Sequence, residues 1–185
     1  LKWLHQTQSD VLVITGSGTA AMEAGMVNTL CRGDKVLCGD HAKFGERWVK
    51  VARAYGLEEE GIQAEWGQPL DAEAFRLALE ADSAKAIKAV ILTHSETSTG
   101  VINDLETIAR HVKAHGTALT IADCVTSLGA TDVPMDAWGV DVVASGSQKG
   151  YIRPPGLSFV AMGERAWQAY EHSDLPKFYL DLGPY

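Results

Sequence analysis

The chain has 185 residues, 46% of them apolar and 22% charged, a balance ordinary for one globular domain folded around one sheet. A formal net charge of −8 weighs against nucleic acid or an anionic membrane as partner and leaves small molecules as the expected ligands. No apolar run approaches the roughly 20 residues of a membrane span, no basic-then-apolar leader opens the chain, and Cys31, Cys38 and Cys124 form neither an even set nor a CxxC pair, so a cytoplasmic protein without disulfide or zinc is expected.

In chain order, Leu1 to His5 reads as the tail of a helix that starts upstream, since the chain opens without Met. Val11 to Thr15 is a β-branched apolar run of the kind buried on both faces of a parallel sheet. Gly16-Ser17-Gly18 follows, then a helix from Thr19 to Leu30. Strands are expected at Val36–Cys38, Ile62–Trp66, Ile87–Thr93, Ala118–Ala122 and Val140–Ala144. Between them fall helices at Phe44–Ala54, at Asp71–Ala81 with an Asp N-cap, and at Asp104–Ala114 stopped by Gly116. This alternation implies parallel strands joined by crossover helices on both faces. Gly150 to Gly156, with two prolines, is too short for a crossover helix, so Leu157–Met162 should run antiparallel to the strand before it. Glu164–His172 closes the pattern as a helix, and the tail from Ser173 reads as cut off mid-element.

Ligands of open α/β sheets bind beyond the carboxyl ends of the parallel strands. Four chemically loaded stretches fall there: Gly16 to Thr19, His94 to Gly100, Asp123 to Val125, and Ser147 to Lys149. The first is a strand, a glycine-rich turn and a helix N-terminus, where unpaired N–H groups and the positive end of the macrodipole attract an anion. Lys149, among small residues after an apolar strand, is expected to be poorly solvated, which favours the neutral amine needed for Schiff-base chemistry. A phosphate cradle, a lysine, and a carboxylate to pair with a ring nitrogen are what pyridoxal phosphate requires.

The runs GSGTAAMEA, THSETSTGVINDL, IADCVTSLGA and SGSQKGYIRPPG resemble the large domain of the fold-type I, class V aminotransferases, most closely the alanine- or serine-glyoxylate group. The resemblance covers nearly the whole chain. It implies a pyridoxal-phosphate-transferase-like α/β large domain over residues 1–185, with a mostly parallel open sheet, helices on both faces and one antiparallel strand. An N-terminal segment and a smaller C-terminal domain would lie outside it. The resemblance also implies an enzyme, a homodimer, that takes a small amino acid and a 2-oxo acid as substrates, with the substrate-carboxylate arginine outside residues 1–185, so that turnover by these residues alone is not expected. Position by position, Lys149 would carry the Schiff base and Asp123 would pair with the pyridine nitrogen. Ser17, Gly18, Thr19 and Gln148 would hold the phosphate, and Thr97 would lie near the ring hydroxyl. Val125 would pack beneath the ring and Phe44 would stack above it.

Other readings compete. GSGTAA also fits a dinucleotide fingerprint, with Asp40 at the end of the second strand where a ribose-binding acid would sit. A cysteine desulfurase of the same class is a second alternative, but the related desulfurases place His before their lysine, where this chain has Gln148. A non-catalytic relative of the fold is a third. His111 and His115 have two-histidine metal spacing, yet no third ligand is evident, so no metal is expected and both are read as solvated residues near a helix C-terminus. Arg153 lies near Lys149 in sequence, and nothing gives it a role.

Overall fold

The computed structural model describes residues 1–185. Its elements are α1 (Lys2–His5), β1 (Asp10–Thr15), α2 (Gly18–Val27), β2 (Lys35–Asp40), α3 (Ala42–Ala54), β3 (Glu58–Gln63), α4 (Ala72–Ala81), β4 (Ile87–Thr93), β5 (Ser95–Glu96), β6 (Val101–Ile102), α5 (Leu105–His115), β7 (Leu119–Asp123), α6 (Met135–Trp138), β8 (Val142–Gly146), β9 (Leu157–Met162) and α7 (Glu164–Tyr170). Local chemistry sets several of these bounds. Asp71 and Asp104 cap α4 and α5 by accepting from Glu73 N at 2.9 Å and Thr107 N at 3.0 Å. Gly116, at φ +95°, ends α5 in a conformation that favours glycine. Asn28 stops α2 three residues earlier than the periodicity predicts, because its side chain turns back to Ala24 O and out to Leu180 O.

The seven strands lie in the order β1-β9-β8-β7-β4-β2-β3. All run the same way except β9, which is antiparallel to both neighbours as the short Gly150–Gly156 connection requires. Alternate side chains feed two cores. Val36, Ile91, Ile121 and Val142 pack with Met22 of α2 and Trp48 of α3 on one face, while Leu37, Val90, Leu92 and Val143 pack with Phe75 of α4 and Ile108 of α5 on the other. No helix is long and apolar enough to cross a membrane.

Four expectations change. Strand β1 is an edge strand rather than one buried on both faces; only Ile14 is buried, and Val13 is 42% exposed, because β9 covers one side only. Strand β3 spans Glu58–Gln63 instead of Ile62–Trp66: its pairing with β2 runs from Lys35↔Glu58 to Asp40↔Gln63, supported by a Lys35–Glu60 ion pair, and Trp66 is left exposed beyond it. A small hairpin, β5–β6, and the single-turn α6 interrupt segments read as loop. Finally, His115 is not solvated: its ring is buried, with Nε2 3.2 Å from Asp82 Oδ2 and Nδ1 accepting from Ala118 N.

Candidate active site

The order of strands brings the carboxyl ends of β1, β4, β7 and β8 to one edge of the sheet. A pocket of about 220 Å³ opens there, lined by Ser17, Gly18, Thr19, Met22, Phe44, Arg47, Thr97, Asp123, Val125, Thr126, Gln148 and Lys149. All nine residues that the resemblance assigns to the cofactor are among these twelve. A larger groove of about 870 Å³ runs between α1 and Gly129–Asp132, but it gathers no comparable set of functional groups. Asp40 lines neither; it accepts from Gln63 on β3 at 3.4 Å. Four strands separate β1 from β2, whereas a dinucleotide fold sets those strands side by side, so the topology overturns the dinucleotide reading.

Asp123 ends β7 at the floor of the pocket and is 3% exposed. Its Oδ1 accepts from Val125 N at 2.9 Å, and Oδ2 has only Thr93 Oγ1 at 3.5 Å. Burial pushes this carboxyl up from 3.8 to about 6, against the Val125 hydrogen bond that favours the anion. The same Val125 amide ties the residue expected beneath the ring to the carboxylate expected at its edge. Opposite, Ser17 precedes the first turn of α2, whose Gly18 and Thr19 N–H groups find no acceptor in the protein. A Cβ at Gly18 would lie 2.6 Å from Val125 Cγ2, so only bare backbone lets the turn approach the segment after β7 this closely.

Lys149 stands exposed at the rim, so the poor solvation expected of it is not met. The reason is local. Ser147 Oγ donates to Pro154 O at 2.7 Å and Arg153 N to Ser147 O at 3.0 Å, which carries residues 148–153 outward beyond the sheet; small neighbours leave the ammonium open instead of covering it. Arg153 is exposed and outside the pocket. Gln148 Oε1 is buried without a hydrogen-bond partner. Turning the amide would offer N–H donors at the same point.

The loop after β4 divides its labour. Thr97 Oγ1 meets Thr126 Oγ1 at 2.5 Å on the pocket wall. His94 turns away, its Nδ1 2.9 Å from Ser127 Oγ and its ring edge-on to Trp138, and burial pushes it down to about 4, so it is neutral near pH 7. Glu96 is fully buried and accepts from Phe44 N at 2.9 Å, Gly45 N at 3.3 Å, Ser98 N at 3.0 Å and Ser98 Oγ at 2.6 Å. It therefore fastens the start of α3, and with it Phe44 and Arg47, to the loop that carries Thr97. Sequence reasoning missed Met22, Arg47, Thr126 and the role of Glu96. Arg47 and Glu96 had a possible signal, in that each is charged and lies within three residues of a named site residue.

The pocket is incomplete in ways that specify a ligand. Two unpartnered N–H groups at a helix start await an anion, Gln148 has an orphaned buried atom, and Asp123 is a buried carboxylate with no cation in contact. A phosphorylated aromatic cation satisfies all three, so the residues fit pyridoxal phosphate.

Sheet and pocket together place the chain, by fold, among the pyridoxal-phosphate transferases. The sequence model of the class-V aminotransferases matches residues 1–175, and the chain belongs to that family. It is 65% identical over its whole length to the soluble hydrogenase 42 kDa subunit of Anabaena cylindrica, covering 48% of that protein. It is 38% identical to the L-aspartate–glyoxylate aminotransferase of Paracoccus denitrificans, covering 98% of this chain and 46% of that one. The crystal structure of an alanine–glyoxylate aminotransferase from Nostoc sp. superposes with a TM-score of 0.92 at 37% identity, over 100% of this chain and 48% of the other. The chain thus spans about half the length of the curated relatives it matches.

Proposed function

We propose that residues 1–185 are the cofactor-binding large domain of a pyridoxal-phosphate-dependent transaminase that moves an amino group between alanine or serine and a 2-oxo acid such as glyoxylate. The observation that carries this reading is the meeting of Lys149, Asp123 and the Ser17–Thr19 turn, distant in sequence, around one pocket at the carboxyl edge of the sheet.

Bound there, pyridoxal phosphate supplies an electrophilic aldehyde and a pyridinium ring that accepts electrons from a substrate carbanion. Gly18 and Thr19 N–H groups, Ser17 and Gln148 hold its phosphate; Phe44 and Val125 bound the slot for its ring. Asp123 holds the proton on the ring nitrogen. Pairing with that cation also relieves the cost of ionising a carboxylate in a buried site, so binding and activation draw on one interaction. Lys149 would hold the aldehyde and is placed to move a proton between the substrate Cα and the cofactor C4′. Its exposure at the rim leaves the amine accessible for both tasks. Gln148 cannot act as an acid, which sets this site apart from a desulfurase with His at that position. A cytoplasmic homodimer accords with the family resemblance and is proposed with it.

The test, run on the full-length protein, is a panel of alanine, serine and aspartate against glyoxylate and pyruvate, with oxo-acid and amino-acid products measured together. Turnover of alanine or serine with glyoxylate supports the reading; a cofactor-loaded protein that turns over no pair contradicts it. Hydrogen-dependent dye reduction, run beside the panel, examines the name carried by the Anabaena relative.

A further inference from the structure

Arg47 enters the pocket from the second turn of α3, and nothing said so far gives it a task. Arg53, Arg76, Arg110 and Arg165 each hold a carboxylate. Arg47 holds none. Its Nη1 donates to Thr19 Oγ1 at 2.8 Å, and its plane lies over the Phe44 ring at 4.5 Å from the centroid. A guanidinium has five N–H donors, so a half-buried group in the pocket wall keeps most of its hydrogen-bonding capacity unused. Both contacts fix its orientation, one to the anion turn and one to the aromatic wall.

Charge gives the donors a purpose. Among the twelve residues around the pocket the acidic and basic side chains are Asp123, Arg47 and Lys149. On the function proposed above, on which this inference rests, Asp123 is matched to the ring nitrogen and the Lys149 amine to the aldehyde carbon. A phosphate dianion on the α2 turn then meets only neutral donors, the Gly18 and Thr19 N–H groups with Ser17 and Gln148, unless Arg47 joins them, and Arg47 already touches Thr19 of that turn.

We propose that Arg47 is a phosphate-binding residue of this site, its guanidinium meeting the cofactor's phosphate beside Thr19 while Phe44 holds its plane. The guanidinium thereby links the anion turn to the ring wall, so phosphate binding also orders Phe44.

Spectral titration of apo wild type, R47K and R47Q with pyridoxal phosphate and with pyridoxal, which lacks the phosphate, tests this. R47Q should weaken pyridoxal phosphate binding by about ten- to a hundredfold, the range for a lost charged hydrogen bond, and leave pyridoxal binding unchanged. R47K should fall between, because it keeps the charge and loses the planar fork. Unaltered apo melting would show that the variants fold. Equal weakening of both aldehydes would overturn the proposal and make Arg47 a support for Phe44. Unchanged titrations with a raised KM for the amino acid would overturn it in favour of a substrate carboxylate. Wild-type protein that takes up neither aldehyde would overturn the cofactor reading itself, and this proposal with it.

Discussion

Asp123→Asn should stabilise the cofactor-free protein while disabling the loaded one. In the apo protein the carboxyl is lifted from 3.8 to about 6 by burial, which one good hydrogen bond and the nearby Arg47 charge offset only in part. At 1.36 kcal/mol per pH unit, holding it ionised at pH 7 costs the folded state about 3 kcal/mol relative to the unfolded chain. The folded pKa is the higher one, so the folded state binds more protons between pH 4 and 6, and stability falls as pH rises through that window. Asparagine has nearly the same shape and carries no such penalty. For a chain of this size about 2–4 °C of melting temperature accompanies each kcal/mol, so the apo variant should melt about 6–12 °C higher at pH 8, a ceiling that water entering the pocket lowers. At pH 4 the two proteins should melt together. Melting of apo wild type and variant at pH 4, 6 and 8 is the assay, and a gap that is absent or independent of pH refutes the reasoning. With cofactor saturating, the order inverts: the Asn variant should bind yet lose about 10²–10⁴ in turnover, because nothing holds the ring proton.

Glu96→Ala should leave Gly45 N buried and Phe44 N half-buried without an acceptor, costing about 1–3 kcal/mol for the Gly45 amide in urea unfolding and less for the half-buried one; a loss under about 1 kcal/mol would show that α3 is held by other means. Gly18→Ala forces Val125 aside, since the new Cβ lies 2.6 Å from Cγ2; a loss of about 1–3 kcal/mol with weaker cofactor titration is expected, and an unchanged titration counts against the close approach. Lys149→Ala should abolish transamination, and exogenous amines should restore part of it, as followed by oxo-acid release.

Much of the sheet was legible because its central strands are apolar runs of strand length. Ile87–Thr93 and Leu157–Met162 match to the residue, and Asp104 and Gly116 mark the limits of α5. Edges were harder to read. β1 has the composition of a central strand, but which strand lacks a second neighbour is decided by topology, and β3 is set by pairing with β2 rather than by its polar sequence EEEGIQ. The site was legible where glycine, aspartate and lysine sit at strand ends. Contacts across the chain were not: Glu96 acts on residues about 50 positions away, and Arg47 is one charged residue on an amphipathic helix until Thr19 lies beside it. The solvation of Lys149 also depends on how the following turn is pinned, which composition does not encode.

The central claim is that this pocket holds pyridoxal phosphate through Lys149. Borohydride reduction of the cofactor-loaded protein, followed by peptide mass mapping, tests it directly. The account predicts a single pyridoxyl label on Lys149, absent from the Lys149→Ala variant; a label on another lysine, or none in a cofactor-saturated sample, would contradict it.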